Sequence, residues 1–396
     1  MAGGKEPDPN FFRNWRGPYL GFEEFEGNTG HTTNNTPAQH YRTFLEDAGV
    51  EYQEWFPQMR DKYDHQACGA WNIPAEYHDT HWVAERTIDF INRQSDDQPW
   101  FCWTSFQDPH EPHLCPQPWF SSVRTEAMDL FEGFRAGEFD EKPDIYEMCH
   151  QKDFAHLNDG VGAPQSLGGA VREEATVPSC FGEPEKDAQA RDALQATLGM
   201  IAFLDDRLGA VMQELENNGQ LENTIIVWTS DHGEMHGHHG LWGKGLAAFE
   251  DAQRVPLIIW GPNHIKTIGT TSALANLVDL PRTLLSVAGQ TAPQEFQGTD
   301  LTRILNGESD SVQDAVLVEM RATESTLNQH TLITDRHKLV VYKHTDEGEL
   351  YDLHADPDQY VNLWQDKPVL RSELLHRLAR FHMEREPGGP TRMSFA

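Results

Sequence analysis

Thr224-Ile225-Ile226-Val227-Trp228-Thr229-Ser230-Asp231-His232-Gly233-Glu234 is the stretch that decides the fold. Its first six residues are β-branched or aromatic without a break, which reads as a buried parallel strand. An acid and an imidazole, Asp231 and His232, follow at once. The chain then runs on through Met235-His236-Gly237-His238-His239-Gly240-Leu241-Trp242-Gly243-Lys244-Gly245. These side chains are delivered just past a strand's carboxyl end, the edge at which open α/β sheets bind ligands. Asp and His suit a divalent cation, and Lys suits a tetrahedral oxyanion. The glycines let the backbone turn sharply and approach closely.

Outward from this strand, helical and extended patterns alternate, and the expected fold class is α/β. A mixed, mostly parallel sheet is flanked by helices, and a small C-terminal antiparallel sheet plus helix follows. Toward the N-terminus, Ala38 to Ala48 reads as a helix with Thr36 as N-cap, Pro37 at its first position and Gly49 closing it. Tyr77 to Gln94 reads as helical, with Trp82, Ile88 and Ile91 on one side. Phe101 to Phe106 reads as a strand. A Pro/Gly/acid-rich excursion from Gln107 to Gly182 shows weak periodicity, and a loop that long is usually functional.

Asp187 to Asn217 is the clearest helix, because Leu194, Leu198, Ile201, Leu204, Leu208, Val211 and Leu215 recur at steps of three and four. Val255 to Trp260 is a further strand, and Ala273 to Ala288 a helix closed by Gly289. From Asp314 onward, Ala315–Met320, Thr331–Thr334, Lys338–Tyr342 and Glu349–Leu353 read as short antiparallel strands before a helix over Val369–Glu384. The expected division is therefore a main domain over 1–310 and a C-terminal subdomain over 311–396.

Composition narrows the function classes. Hydrophobic residues make up 38% and charged residues 24%, as in a globular protein. Lys and Arg number 31 against 63 Asp and Glu, a net charge of −32, which excludes nucleic acid and anionic membrane as partners. No run approaches the apolar length of a membrane span. Met1-Ala2-Gly3-Gly4-Lys5-Glu6-Pro7 lacks a signal peptide's apolar core, so the default location is cytoplasmic. Cys68, Cys102, Cys115, Cys149 and Cys180 are scattered with no C-x-x-C, giving neither a disulfide framework nor a zinc knuckle.

With these residues in view, the chain resembles the sulfatases of the alkaline-phosphatase superfamily. Ser230-Asp231-His232-Gly233-Glu234 with His239-Gly240-Leu241-Trp242-Gly243-Lys244-Gly245 is similar to that family's late metal-binding motif. Phe101 to Phe106 followed by Asp108-Pro109-His110-Glu111-Pro112 resembles its strand and D-P-H-x-P. Tyr351-Asp352-Leu353, Asp356-Pro357 and Asn362-Leu363 resemble its Y-D-L-x-x-D-P-x-E-x-x-N-L segment, with Gln359 in place of Glu. The resemblance implies an alkaline-phosphatase-like fold, an arylsulfatase-like activity and hydrolysis of a small-molecule or carbohydrate sulfate ester. It implies Asp231 and His232 as ligands of a divalent metal, Ca2+ first with Mn2+ or Mg2+ as alternatives. It also implies Lys244 and His110 as catalytic and sulfate-contacting residues.

His239 is read as supporting the substrate site. His236, His238 and His239 crowd one loop and could form a zinc site of their own, but adjacent histidines rarely point the same way, so His236 and His238 are read as solvated. Glu234 is left to orient a neighbour, and Asp352 and Asn362 to turns and packing. Histidine at the second metal position is familiar in phosphonate- and phosphodiester-hydrolysing relatives, which gives the alternative of a phosphonate or phosphate ester hydrolase.

The family makes its formylglycine nucleophile from C-x-P-x-R, and none of the five cysteines begins that pattern. Its early paired aspartates and its G-K-x-H-x-G are also missing. Arg16-Gly17-Pro18-Tyr19-Leu20-Gly21-Phe22 looks like the segment after the latter, so the chain reads as a sulfatase that begins late. A third reading is therefore an inactive remnant or binding protein. A further expectation is exposed apolar faces and low stability. The sequence fixes no oligomeric state.

Overall fold

The computed structural model describes residues 9–28, 37–52, 55, 68–95, 98–110, 112–124, 135–144, 146, 184–241, 243–244, 247–266, 269–321, 328–343 and 345–385. Thr36 and most of the Gln107–Gly182 excursion lie outside them. The chain divides into two compact units, Met1–Gly133 with Arg172–Leu221, and Phe134–Val171 with Glu222–Ala396.

In the first unit, strand β1 (Cys68–Trp71) pairs in parallel with β2 (His113–Pro116), Cys68 opposite His113. Neither strand announces itself in the sequence, since Cys-Gly-Ala-Trp has no β-branched residue and the other ends in proline. The helix Pro184–Asn217 packs on both strands and on the helices Asp79–Arg93 and Trp119–Ser122. Its buried face holds Ala193, Ala196, Met200, Phe203, Leu204, Val211 and Leu215, whereas Ile201, expected on that face, is 44% exposed. Met200 and Phe203 take the core position instead. A second cluster of Tyr41, Leu45, Tyr52, Trp71, Ile73 and Trp82 joins the helix Gln39–Asp47 to β1 and Asp79–Arg93.

Gly199 lets the long helix approach β2 closely. A Cβ there would lie 2.8 Å from the Cys115 Sγ and 3.1 Å from the Phe120 Cα. In an open helix Gly→Ala gains up to about 1 kcal/mol. Here overpacking reverses the sign, and Gly199→Ala is expected to destabilise by about 1–3 kcal/mol in urea unfolding.

Phe101 to Phe106, expected as a strand, has no ladder partner among the described residues. Its exposure alternates as a strand's would, with Phe101 58% and Trp103 73% exposed. On the exposed face the Phe22 ring stacks on Phe101 with centroids 6.0 Å apart. No helix among the described residues is long and apolar enough to cross a membrane.

In the second unit, β3 (Ile226–Thr229) pairs with β4 (Leu257–Trp260) antiparallel, Ile226 opposite Trp260. The expectation of a buried parallel strand is corrected on both counts. An apolar run carries no information on strand direction, and the loop 230–256 returns the chain alongside itself. Burial is only intermediate over Ile226, Val227 and Trp228, Thr229 is exposed, and Ile258 on β4 is 59% exposed.

The helix expected from Ala273 starts only at Asp279 and runs to Val287. The buried Asp279 carboxylate stops it, accepting Asn276 N at 2.8 Å, Thr299 N at 2.7 Å and Gln313 Nε2 at 2.7 Å.

The C-terminal expectation holds closely. Strands β5 (Ala315–Arg321), β6 (Asn328–Thr334), β7 (His337–Tyr342) and β8 (Gly348–Asp352) form an antiparallel meander in chain order. The helix Pro368–Arg385 covers it, and Leu332, Leu339, Leu350, Trp364, Leu374, Leu378 and Phe381 form the core. Asn362 behaves as a packing residue, its Oδ1 accepting Leu350 N and Trp364 N at 3.0 Å each. Asp352 pairs with Arg336 at a turn.

Candidate active site

Asp231 and His232 stand immediately beyond β3. Ser230 Oγ donates to His232 O at 2.9 Å, and His232 N donates to Asp231 Oδ1 at 3.1 Å, which turns both side chains out of the strand. His232 Nδ1 lies 2.8 Å from the carbonyl oxygen of Gly233. A carbonyl only accepts, so Nδ1 carries the hydrogen and Nε2 keeps its lone pair. That lone pair lies 3.6 Å from Asp231 Oδ2. A carboxylate oxygen and an imidazole nitrogen at that separation fit a shared divalent cation, and the carbonyl behind the ring orients it as in metal-binding histidines. The donor set therefore fits the cation that the sequence implies.

The loop beyond is bound to its own unit. Gly233 N donates to Ala252 O and Glu234 N to Asp251 O, each at 2.9 Å. A Cβ on Gly233 would lie 1.8 Å from Asp251 O, so only glycine passes there. Glu234 acquires a definite role, because its carboxylate accepts the Gly243 N–H, the residue before Lys244. Met235 N donates to Gly243 O at 3.0 Å, closing the loop at the same point. Lys244 is thus held near the base of the loop and is half-buried.

His238 and His239 correct the sequence reading. His238 is 6% exposed rather than solvated, with its Nδ1 2.9 Å from Asp251 Oδ2. His236 is half-buried. The two adjacent rings do face the same way, stacked with centroids 4.1 Å apart. His239 sits at φ 55°, a left-handed conformation that local sequence does not announce and that folds its side chain back over its neighbour.

His239 is fully buried between His238 and Phe249, whose ring lies 3.8 Å away and nearly parallel. Its Nδ1 is 2.9 Å from Glu138 Oε1, and among the described residues its Nε2 has no hydrogen-bond partner. Burial pushes the His239 pKa down. Burial alone would raise Glu138, but the His239 and Arg135 N–H bonds and the Lys142 charge hold it below the usual range. The His238, His239 and Asp251 ligand atoms lie within 4.8 Å of one another, although each Nδ1 is already engaged by a carboxylate.

Glu138, Asp251 and Lys142 were not legible as site residues. Lys142 is buried, its Nζ 5.1 Å from the Phe249 ring and 5.9 Å from the Tyr360 ring. Burial lowers its pKa. Arg135 stacks 3.4 Å over Tyr360. Glu138 lies 101 residues before His239, inside the aperiodic excursion, where no local pattern marks it.

A pH consequence follows for His239. Above its ordinary 6.5, His239 is neutral in both states. As the pH falls below 6.5 the unfolded chain binds a proton that buried His239 refuses, so its share of stability is lost down to the lowered folded value. Tm is expected to fall less steeply below 6.5 in His239→Gln than in the parent. Parallel Tm–pH curves would remove the assignment.

His110 belongs to the first unit. Its N donates to Gln107 O at 3.1 Å, closing the turn after the extended Phe101–Phe106 segment, and the residue is half-buried. The turn is anchored by Asp108, which accepts Thr80 Oγ1 at 2.7 Å and lies 3.9 Å from the buried His78 Nε2. Burial pushes Asp108 up to about 6. Burial opposes charge on His78, yet Asp108 and Asp79 beside it raise its pKa. Asp231, His232, His239 and Lys244 belong to the second unit.

Comparison with known proteins identifies the class. The sulfatase family model matches residues 25–290, and a model of the C-terminal part of N-sulphoglucosamine sulphohydrolase matches 237–384. The chain belongs to the sulfatase family. An arylsulfatase of Clostridium perfringens is 28% identical over 329 residues, covering 79% of this chain and 61% of that protein. An N-acetylglucosamine-6-O-sulfatase of Bacteroides thetaiotaomicron is 36% identical over 174 residues, 42% of this chain and 31% of that one. The matches thus span 61% and 31% of the lengths of these two relatives. Among solved structures, a phosphonate monoester hydrolase from Silicibacter pomeroyi superposes with a TM-score of 0.69 at 21% identity, covering 90% of this chain and 71% of that one. That likeness establishes the alkaline-phosphatase-like fold.

Proposed function

We propose that this chain hydrolyses sulfuric esters at a divalent cation held by Asp231 and His232. The observation that carries the reading is the pair itself, Asp231 Oδ2 facing His232 Nε2 at 3.6 Å past the end of β3. Cleaving the S–O bond of a sulfate monoester builds negative charge on the departing oxygen, and the cation, when bound, offsets that charge. Calcium is the first candidate, the imidazole makes manganese the next, and magnesium stands as an all-oxygen alternative.

Lys244 holds a sulfate oxygen as a point charge, restrained by Glu234 through Gly243. His110 donates to a sulfate or leaving-group oxygen, or protonates the leaving group as general acid. His239 supports the substrate side of the loop, with Glu138 fixing its tautomer. The expected formylglycine has no acceptor among the five cysteines, and no residue here is assigned as nucleophile. For the division into an α/β domain over 1–310 and a C-terminal subdomain over 311–396, the support is that β5–β8 pair only with one another among the described strands. A sulfated carbohydrate is the favoured substrate class, supported by the N-acetylglucosamine-6-O-sulfatase relative and by a solved structure, TM-score 0.60, described in complex with its substrate D-glucosamine-2-N,6-O-disulfate.

His232 in the metal pair also supports a phosphonate or phosphate ester hydrolase as second reading. Turnover of 4-nitrophenyl sulfate, a phenylphosphonate monoester and 4-nitrophenyl phosphate, each with added Ca2+ or Mn2+, separates the readings. Faster, metal-dependent sulfate release supports the first, and faster phosphonate or phosphate release replaces it with the second. Saturable binding of a sulfate ester without turnover of any of the three leaves a binding protein.

A further inference from the structure

A second group of metal-ligating side chains stands on the C-terminal sheet, apart from the sulfatase loop. Glu319 on β5 and His330 on β6 are register partners, so their side chains leave the same face of the sheet. His382, in the helix Pro368–Arg385, meets them there. His330 Nδ1 and His382 Nε2 are 3.0 Å apart, and His330 Nε2 is 3.3 Å from Glu319 Oε1. All three residues line a solvent-open cavity of about 550 Å³, together with Gln297 and Arg385.

The protons on these rings are determined by their partners. The Glu319 carboxylate only accepts, so His330 Nε2 carries the hydrogen and His330 Nδ1 is a lone pair. His382 Nε2 must then donate to His330 Nδ1 when nothing lies between them. Moving that hydrogen to the other nitrogen of His382 leaves a lone pair on each of the two nitrogens. Their 3.0 Å separation is close to the roughly 3.3 Å between two ligands of a tetrahedral zinc with bonds of 2.0–2.1 Å. A carboxylate behind one imidazole is also the arrangement that orients metal-binding histidines and raises their basicity.

We propose that His330 and His382 bind a borderline-soft divalent cation, zinc above all, with Glu319 as positioning residue and cavity water completing the coordination. Neutral imidazoles favour zinc over calcium or magnesium, which distinguishes this site from the Asp231–His232 pair. A cation here bridges β6 to the closing helix, so binding also stabilises the C-terminal subdomain. The exchange balances: neutral His382 only moves its hydrogen between ring nitrogens, and protonated His382 releases one proton to solvent.

The test is titration of the full chain with zinc chloride, read by calorimetry for affinity and stoichiometry. His330→Gln and His382→Gln are each expected to lose one zinc equivalent per chain relative to the parent. Glu319→Gln is expected to bind that zinc about tenfold more weakly. Asp231→Asn is expected to retain it, which keeps the two metal positions separate. Zinc should raise Tm in the parent and in Asp231→Asn but less in either histidine variant. Both histidines are partly exposed, and circular dichroism confirms which variants fold, so either one alone carries the comparison. Parental zinc stoichiometry and affinity in a folded His330→Gln or His382→Gln would overturn the proposal.

Discussion

Replacing Glu349 with alanine is expected to cost roughly 3–5 kcal/mol, the range for removing one partner of a buried polar pair. Glu349 is fully buried on β8, and three phenols donate to it. Tyr146 reaches its oxygens at 3.0 and 3.2 Å, and Tyr342 and Tyr351 make closer contacts. Burial, and then the Glu349 charge, keeps all three tyrosine pKa values well above their ordinary 10, so they remain donors at any working pH. Alanine removes that acceptor and opens a cavity; Tyr146 and Tyr342 can still bond each other, and any hydroxyl left unpaired costs about 1–3 kcal/mol.

The loss is large against a total stability of about 5–15 kcal/mol. It also propagates within the second unit, because Tyr146 Oη accepts Ala248 N at 3.1 Å, next to the ring that stacks on His239. Denaturant midpoints for Glu349→Ala and Glu349→Gln would measure it. Glutamine keeps one acceptor but turns an NH2 toward the hydroxyl donors, so an intermediate loss is expected. A Glu349→Ala midpoint equivalent to less than about 1 kcal/mol would show that water replaces the carboxylate.

How much of this was legible in the sequence depends on the range of the signal. The meander β5–β8 and its closing helix could be read to within one residue at each end except at the start of β6, three residues earlier than expected, because alternation and turn residues are local and each strand pairs with its chain neighbour. The helix ending at Asn217 was equally plain from its leucine spacing. Strand direction was not, and β3 has the composition of a parallel strand while pairing antiparallel with β4. Nor was β1, whose Cys-Gly-Ala-Trp carries no strand preference and is held by packing against the helix Pro184–Asn217.

At the site, Asp231, His232 and Lys244 were readable as a motif, and the tautomer of His232 was not, because it depends on where the Gly233 carbonyl points. His238 and His239 misled for a conformational reason. Their common direction comes from one left-handed residue, and the carboxylates that hold them, Asp251 and Glu138, lie 13 and 101 residues away. Three buried tyrosines around one glutamate were likewise invisible, since Tyr146 lies 203 positions from Glu349.

Asp231→Ala is expected to have the largest effect on chemistry. In the proposed pair, Asp231 would be the one carboxylate ligand, 3.6 Å from the His232 nitrogen. Without it, one imidazole remains, too weak to hold calcium and barely adequate for manganese. Free Mn2+ followed by electron paramagnetic resonance should show affinity falling by about two orders of magnitude or more, beyond the 10- to 100-fold typical of losing only an outer partner. Metal-dependent ester hydrolysis should fall by about 10³-fold, since charge stabilisation by a metal contributes several kcal/mol and 1.36 kcal/mol is tenfold.

His232→Ala should weaken manganese more than calcium, because only the softer ion gains from the nitrogen. Lys244→Ala separates the roles. It should leave Mn2+ affinity unchanged while lowering kcat/KM about 10²- to 10³-fold, as removal of an oxyanion donor does. Equal metal affinity in the parent and Asp231→Ala would place the cation elsewhere, with the buried His238–His239–Asp251 group as the next position to test.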